Sequence, residues 1–322
     1  MEPLLTIKDL RVHFQSERGP VNALNGIDVS IEPGKSIALV GESGSGKSTA
    51  VTALMRLLPK TAVITGEVHF KGRDLVGLPH KQVRKIRGRE ISMIFQNPKM
   101  YLNPTKTIGQ QIIDPLLYHH MASFNEAKDK AINLLTQIGI PDAEYRFKSY
   151  PFEFSGGMLQ RVMIGMALIT NPDLLIADEP TTALDVTVQA EILALLKKMQ
   201  RDRQMSMIFV THDLAVAAQI ADEIYVMYGG LIMEHVPSAQ LIQNQAHPYL
   251  QGLLQSIPRI DGRRTELPYI AGTPINTLKA LPDGCVFADR CLARFSKCST
   301  RPSLEKIDVN HEVACWRSVK EA

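Results

Sequence analysis

The chain has 322 residues, 45% of them apolar and 21% charged, with a formal net charge of +3. That is the make-up of an ordinary globular protein with ample material for a core, in one large or two modest domains. So small a net charge argues against nucleic acid or an acidic membrane surface as a partner, and no apolar run approaches the ~18 residues that span a bilayer. The first residues, MEPLLTIKDLRVHF, carry acids early and have no signal-peptide profile, so the chain is expected in the cytosol.

Residues 4–14, 27–31 and 36–40 read as strands, with Pro33-Gly34-Lys35 turning between the last two. Gly46 to Leu58 reads as a helix, and 61–75 as a hairpin with Thr65-Gly66 in or near its turn. From Lys106 to Gly139 the pattern is helical, with breaks expected at Pro115 and Gly139. Ser155-Gly156-Gly157 then precedes a helix carrying Met158, Val162, Met163, Met166 and Ala167 on its apolar face. Two short, wholly apolar strands, 174–177 and 207–210, are separated by a long helix over 186–202; such strands belong in a parallel sheet covered on both faces. After about Glu234 the composition shifts towards Pro, Gln, Arg and Cys, which places a domain boundary at 235/236.

Gly41-Glu42-Ser43-Gly44-Ser45-Gly46-Lys47-Ser48 matches G-x-x-x-x-G-K-[ST] and lies between a predicted strand and a predicted helix, the context this phosphate loop requires. Its glycines let backbone N–H groups curl around phosphate oxygens, the helix points its positive end at them, and Lys47 reaches the terminal phosphates. Ser48 offers its hydroxyl to Mg²⁺. Gly41, Ser43, Gly44, Ser45, Gly46, Lys47, Ser48 and Thr49 form the expected nucleotide-binding set. A triphosphate site also needs a carboxylate at the end of a buried strand, and LLIADEP supplies Asp178 for the metal and Glu179 to polarise the attacking water. Another apolar strand ends in His212, within reach of a γ-phosphate, and Gln96 closes a further strand with an amide suited to metal or water.

In this order the motifs resemble the ATP-binding subunits of ABC transporters. The resemblance implies an α/β P-loop NTPase with a RecA-like core, an antiparallel β subdomain and a helical signature subdomain over about 97–172. The ATPase domain would cover 1–235. Phe14 is expected to stack on adenine, and Lys47, Gln96, Glu179 and His212 form the catalytic set. Ser48, Gln96 and Asp178 would ligate Mg²⁺. Phe154-Ser155-Gly156-Gly157-Met158 stands where the family carries its signature, departing from the common form only at Phe154 and Met158. Two glycines at a helix start sacrifice stability. The resemblance supplies a reason: Ser155, Gly156 and Gly157 would close on the γ-phosphate held by a second ATPase chain, with Asp185 of the Ala183-Leu184-Asp185 segment at the same junction. The loop NPKMYLNP after Gln96 faces the permease in relatives.

The tail carries AHPYLQGLL (246–254), SIPRIDG and four cysteines, Cys285, Cys291, Cys298 and Cys315. It resembles the extension of oligopeptide and dipeptide importer ATPases, and 236–322 is read as that small extension. The implied role is ATP-driven import of peptides across the bacterial cytoplasmic membrane, from its cytoplasmic face. Implied partners are a second related ATPase, two permease subunits and an extracytoplasmic substrate-binding protein. Nickel or another metal chelate stays open as cargo. No cysteine pair has the C-x₂₋₄-C spacing usual for structural zinc. Four thiolates also suit a [4Fe–4S] cluster, which some relatives are thought to carry. Cluster, zinc and unligated thiols are the three readings. Two rivals of other classes are weighed. A soluble ABC ATPase of translation or repair would call for paired cassettes or a long coiled coil. A non-catalytic nucleotide sensor would have lost Glu179 or His212.

Overall fold

The computed structural model describes residues 2–16, 19–182, 184–257, 268–275 and 280–318. Internal contacts divide the chain into two units, residues 1–31, 36–77 and 211–322, and residues 32–35 and 78–210.

In the first unit, alternating burial makes β1 (Leu5–Phe14) a strand with one face in the core: Leu5, Ile7, Leu10 and Val12 are buried while Lys8 and Arg11 are exposed. It pairs antiparallel with β2 (Val21–Ile31) and β4 (Ala62–Phe70), and β5 (Arg73–Asp74) pairs with β4. The hairpin expected over 61–75 exists, but its turn is at Lys71-Gly72, both at positive φ, and not at Thr65-Gly66. Gly66 lies opposite a register break in β1, where a Cβ would run into the Asp9 carbonyl. It marks a β-bulge, which in sequence looks the same as a turn. The strand expected at 27–31 extends back to Val21.

The same unit holds β3 (Ser36–Val40), every residue of which is buried, lying parallel to β9 (Glu223–Tyr228). β10 (Leu231–Pro237), β12 (His311–Val313) and β11 (Glu305–Asp308) follow by antiparallel pairing. Helices α1 (Lys47–Leu54), α9 (Leu214–Ile220) and α10 (Pro248–Gln255) complete it. α1 is shorter than the 46–58 expected. The shift in composition near Glu234 falls inside β10, where Glu234 is fully buried. Its carboxylate accepts the N–H groups of Ala246 (2.9 Å) and His247 (2.7 Å) and faces His311 Nε2 at 2.8 Å. A buried acid is tolerated when so many donors converge on it.

The second unit is built on three parallel strands, β6 (Ile91–Ile94), β7 (Leu174–Asp178) and β8 (Ser206–Thr211, within the unit through Val210), of which β7 and β8 carry the apolar runs 174–177 and 207–210 expected of a sheet covered on both faces. Around them run α2 (His80–Ile86), α3 (Pro98–Tyr101), α4 (Ile108–Tyr118), α5 (Phe124–Gln137), α6 (Ala143–Phe147), α7 (Gly156–Leu168) and α8 (Val186–Arg203). Thr107 and Ser123 start α4 and α5 with reciprocal capping boxes to Gln110 and Glu126. Gly139, at φ +78°, stops α5 as expected. Pro115 does not break α4. Proline deletes only one helical bond there, and the buried Gln111 side chain ties the helix to the preceding loop by donating to Asn103 and Lys106 carbonyls at 3.0 Å. Among the described residues, no helix is long and apolar enough to cross a membrane.

Candidate nucleotide and cysteine sites

In the first unit, β3 delivers the phosphate loop and α1 leaves it. Gly41 and Gly46 are fixed by packing: a Cβ on Gly41 would enter the Met227 carbonyl, and one on Gly46 would stand 2.7 Å from the Ala23 carbonyl. Gly44, at φ +78°, has nothing within 4 Å of its Cβ position, so this side of the loop is open. The loop therefore has two anchored ends and an exposed middle of Ser43 and Gly44, while Ser45 is buried. Gly46 caps α1 at φ +103° and brings no side-chain bond to the helix start, whose positive dipole end faces the loop. Lys47 is 5% exposed, and its Nζ donates to the Gly41 and Glu42 carbonyls at 2.8 and 2.9 Å. A buried ammonium surrounded by loop carbonyls is a charge held for an anion. Ser48 is exposed at the start of α1, with Thr49 half-buried beside it. Phe14 is half-buried at the end of β1, and His212 is exposed just beyond β8. Asp213 caps α9 by accepting from Ala215 and Val216 N–H.

In the second unit, β7 ends at Asp178, and Glu179 follows with φ +45°, a left-handed conformation that costs a non-glycine residue of the order of 1–2 kcal/mol. Its N–H is pinned to the Val210 carbonyl at 3.0 Å. Gln96 Nε2 donates to Glu179 Oε2 at 2.8 Å, and Thr182 Oγ1 donates to the same oxygen at 3.0 Å. Gln96 and Glu179, predicted separately, are thus brought together on one carboxylate oxygen. Thr182 had no sequence signal of its own. Backbone strain where a base is expected, stabilised by two donors, is how a reactive carboxylate is held in one orientation.

Ser155 caps α7, its Oγ accepting Met158 N–H at 3.3 Å. Ser155 and Gly156 are exposed, and no atom lies within 4 Å of a Cβ built on Gly156. Gly157 differs: its Cβ would stand 3.0 Å from Val188 Cγ1 on α8. Part of the need for that glycine is therefore internal packing. Asp185 caps α8 by accepting Val188 N–H at 2.9 Å and is itself exposed. Ala183 lies outside the described residues, as does SIPRIDG beyond Ile257.

The tail places all four cysteines around one cavity, with His247, Phe287, Pro302 and Trp316 in the same wall. The Cys285 N–H donates to the Cys298 carbonyl at 2.9 Å, an approach that Gly284 permits because a Cβ there would lie 2.5 Å from that carbonyl. Burial pushes the Cys285 thiol above its ordinary range, and the three neighbouring cysteines push the same way; burial raises Cys291 likewise. Among the described residues, no group of three or more His, Cys, Asp or Glu is arranged to hold a single metal ion. The His-Pro-Tyr tripeptide has a structural account. His247 caps α10, Pro248 takes its first turn, and Tyr249 is completely buried. Burial pushes His247 down to about 4, so its neutral ring accepts Tyr249 N–H at Nδ1.

Residues 24–182 match the ABC transporter family, and residues 233–298 match the C-terminal region of oligopeptide/dipeptide transporters. The oligopeptide transport ATP-binding protein OppD of Escherichia coli is 44% identical over 320 residues, covering 99% of this chain and 95% of that protein. The dipeptide transport ATP-binding protein DppD of Bacillus subtilis is 46% identical over 319 residues, covering 98% and 95%. Among solved structures, the dimeric ATP-binding cassette MJ0796 bound to ADP and Pi is 28% identical with a TM-score of 0.65, over 73% of this chain and 98% of that one. Motif order, fold and relatedness along nearly the full length of both curated relatives agree: the chain belongs to the ATP-binding proteins of the oligopeptide/dipeptide ABC transporter family.

Proposed function

We propose that this chain is the ATP-hydrolysing subunit of a bacterial peptide importer, working at the cytoplasmic face of the membrane beside permease subunits and with a second, related ATPase. The observation that carries the catalytic part is the carboxylate of Glu179, oriented by Gln96 and Thr182 at the end of β7. Lys47 and the amides of Gly41–Thr49 receive the phosphates. Ser48, Gln96 and Asp178 are oxygen donors of the kind Mg²⁺ takes, and the bound ion would neutralise charge on the transferring phosphoryl group. Glu179 draws the proton from the attacking water, and His212 steadies the γ-phosphate. Phe14 stacks on the base. Ser155, Gly156, Gly157 and Asp185 serve the nucleotide of the neighbouring ATPase, a reading supported by the exposed Gly156 and by the dimeric structure of the MJ0796 cassette. The relatives' names favour peptide over metal chelate as the cargo. Reconstituted with its permease and binding protein, the complex is expected to hydrolyse ATP faster when the binding protein carries peptide. Stimulation by a nickel chelate alone would redirect the assignment.

The same reading extends to the cysteine cavity. Four thiols share its wall, and among the described residues no group of three or more His, Cys, Asp or Glu is arranged to hold a single ion. The cysteine spacing, without a C-x₂₋₄-C pair, favours a [4Fe–4S] cluster over zinc. When bound, the cluster would cross-link a small segment that has few core residues of its own. Anaerobic purification should give a brown protein with iron and acid-labile sulfide; stoichiometric zinc without visible absorbance would defeat the cluster.

A further inference from the structure

The phosphate loop carries an acid that the nucleotide chemistry does not need. Glu42 is the second residue of the loop, and a carboxylate there opposes the approach of a triphosphate. Its charge is met from the tail of the same unit. Arg290 Nη1 and Nη2 hold Glu42 Oε2 and Oε1 at 2.6 and 3.0 Å, a two-pronged ion pair in which the arginine side chain is only 5% exposed. The guanidinium is itself fixed, with Nε donating to the Ala271 carbonyl at 3.0 Å, Nη2 to the Ile270 carbonyl at 3.2 Å, and its plane over the Tyr228 ring. The Glu42 N–H donates to the hydroxyl of Tyr249 at 3.0 Å, and its carbonyl accepts Lys47 Nζ. All the hydrogen-bonding groups of Glu42 are therefore engaged, two of them by tail residues: Tyr249 of the His-Pro-Tyr tripeptide and Arg290, the neighbour of Cys291.

We propose that Arg290 is a positioning residue for nucleotide binding: by neutralising and anchoring Glu42, it makes the C-terminal segment part of the phosphate loop. The proposal rests on the reading of Gly41–Ser48 as that loop. A free surface pair would contribute little, but this one is largely desolvated and adjoins the place where phosphates collect. Losing Arg290 exposes a carboxylate to the incoming ligand. Losing Glu42 as well removes the repulsion, so the damage should be rescued.

The test is a mutant cycle on the purified full-length chain, reading the Kd of a fluorescent ATP analogue with Mg²⁺. R290A should weaken binding about tenfold, the size expected for one unneutralised charge near a triphosphate in partly solvated surroundings, and R290K less. On the E42Q background the same arginine substitution should change Kd by less than about threefold, and added salt should shrink the R290A defect. R290Q gives the same cycle if alanine unfolds the segment. Wild-type affinity in R290A overturns the proposal. So does an equal loss with and without Glu42, because a merely structural role predicts no rescue. Failure of the wild-type chain to bind, or undiminished binding by K47A, refutes instead the phosphate-loop reading on which the proposal rests.

Discussion

Gly156 and Gly157 stand side by side at the start of α7, yet alanine should act on them differently. Gly156 is the first helical residue, has ordinary helical φ, and a Cβ there meets no atom within 4 Å. Replacing glycine by alanine in a helix returns roughly 0.5–1 kcal/mol, the lower end applying at the first position. For a chain of this size that corresponds to a rise in Tm of about 1–3 °C. In the assembled transporter, the same methyl group would enter the surface proposed to close on the neighbouring chain's nucleotide. Overpacking a tight contact costs about 1–3 kcal/mol, which would lower turnover about fivefold to 150-fold. G156A should thus be slightly more stable, bind ATP normally as a purified chain, and fail in the complex. G157A places its Cβ 3.0 Å from Val188 Cγ1, so part of any loss there is internal and its Tm should not rise as that of G156A does. The assays are a thermal melt, analogue binding to the purified chain, and phosphate release by the complex. Wild-type turnover in G156A would refute the contact in trans; lost affinity in the purified chain would mean the turn acts on its own nucleotide.

Three further outcomes follow from the geometry. E179Q keeps a side chain able to bond Gln96 and Thr182 but loses the base, so ATP should remain bound while phosphate release falls by about 10²–10⁴. E234A removes the acceptor facing Ala246 N–H, His247 N–H and His311, and should destabilise the first unit by about 3 kcal/mol, read in denaturant titration with unchanged m. Serine at Cys291 should reduce iron, sulfide and visible absorbance together, measured on anaerobically purified protein, whereas full iron content would remove Cys291 from the site.

The parts legible in the sequence were those with strong local signals. The apolar runs at 36–40, 174–177 and 207–210 emerged as fully buried strands, because only a sheet covered on both faces accommodates such runs. The phosphate loop and the Ser155 cap were recognisable from residue spacing alone. Gly66 and Pro115 were misread because a bulge glycine and a proline within a helix look locally like a turn and a break. β10 went unannounced, since Glu234 and His235 interrupt its apolar pattern. Their burial depends in part on partners far along the chain: Glu234 meets His311 at a separation of 77 residues. The Arg290–Glu42 pair spans 248 residues, beyond the reach of any motif. Contacts of this kind are set by topology, and only the folded chain reveals them.

In the proposed assembly each nucleotide is gripped by the phosphate loop of one chain and the Ser155-Gly156-Gly157 turn of another. The most direct measurement is a structure of the E179Q transporter with ATP and Mg²⁺. The expected result is a γ-phosphate in contact with Lys47 of this chain and with the neighbouring ATPase's signature turn, and this chain's own turn on the opposite nucleotide. An ATP enclosed by this polypeptide alone, with Ser155 and Gly156 still facing solvent, would contradict it.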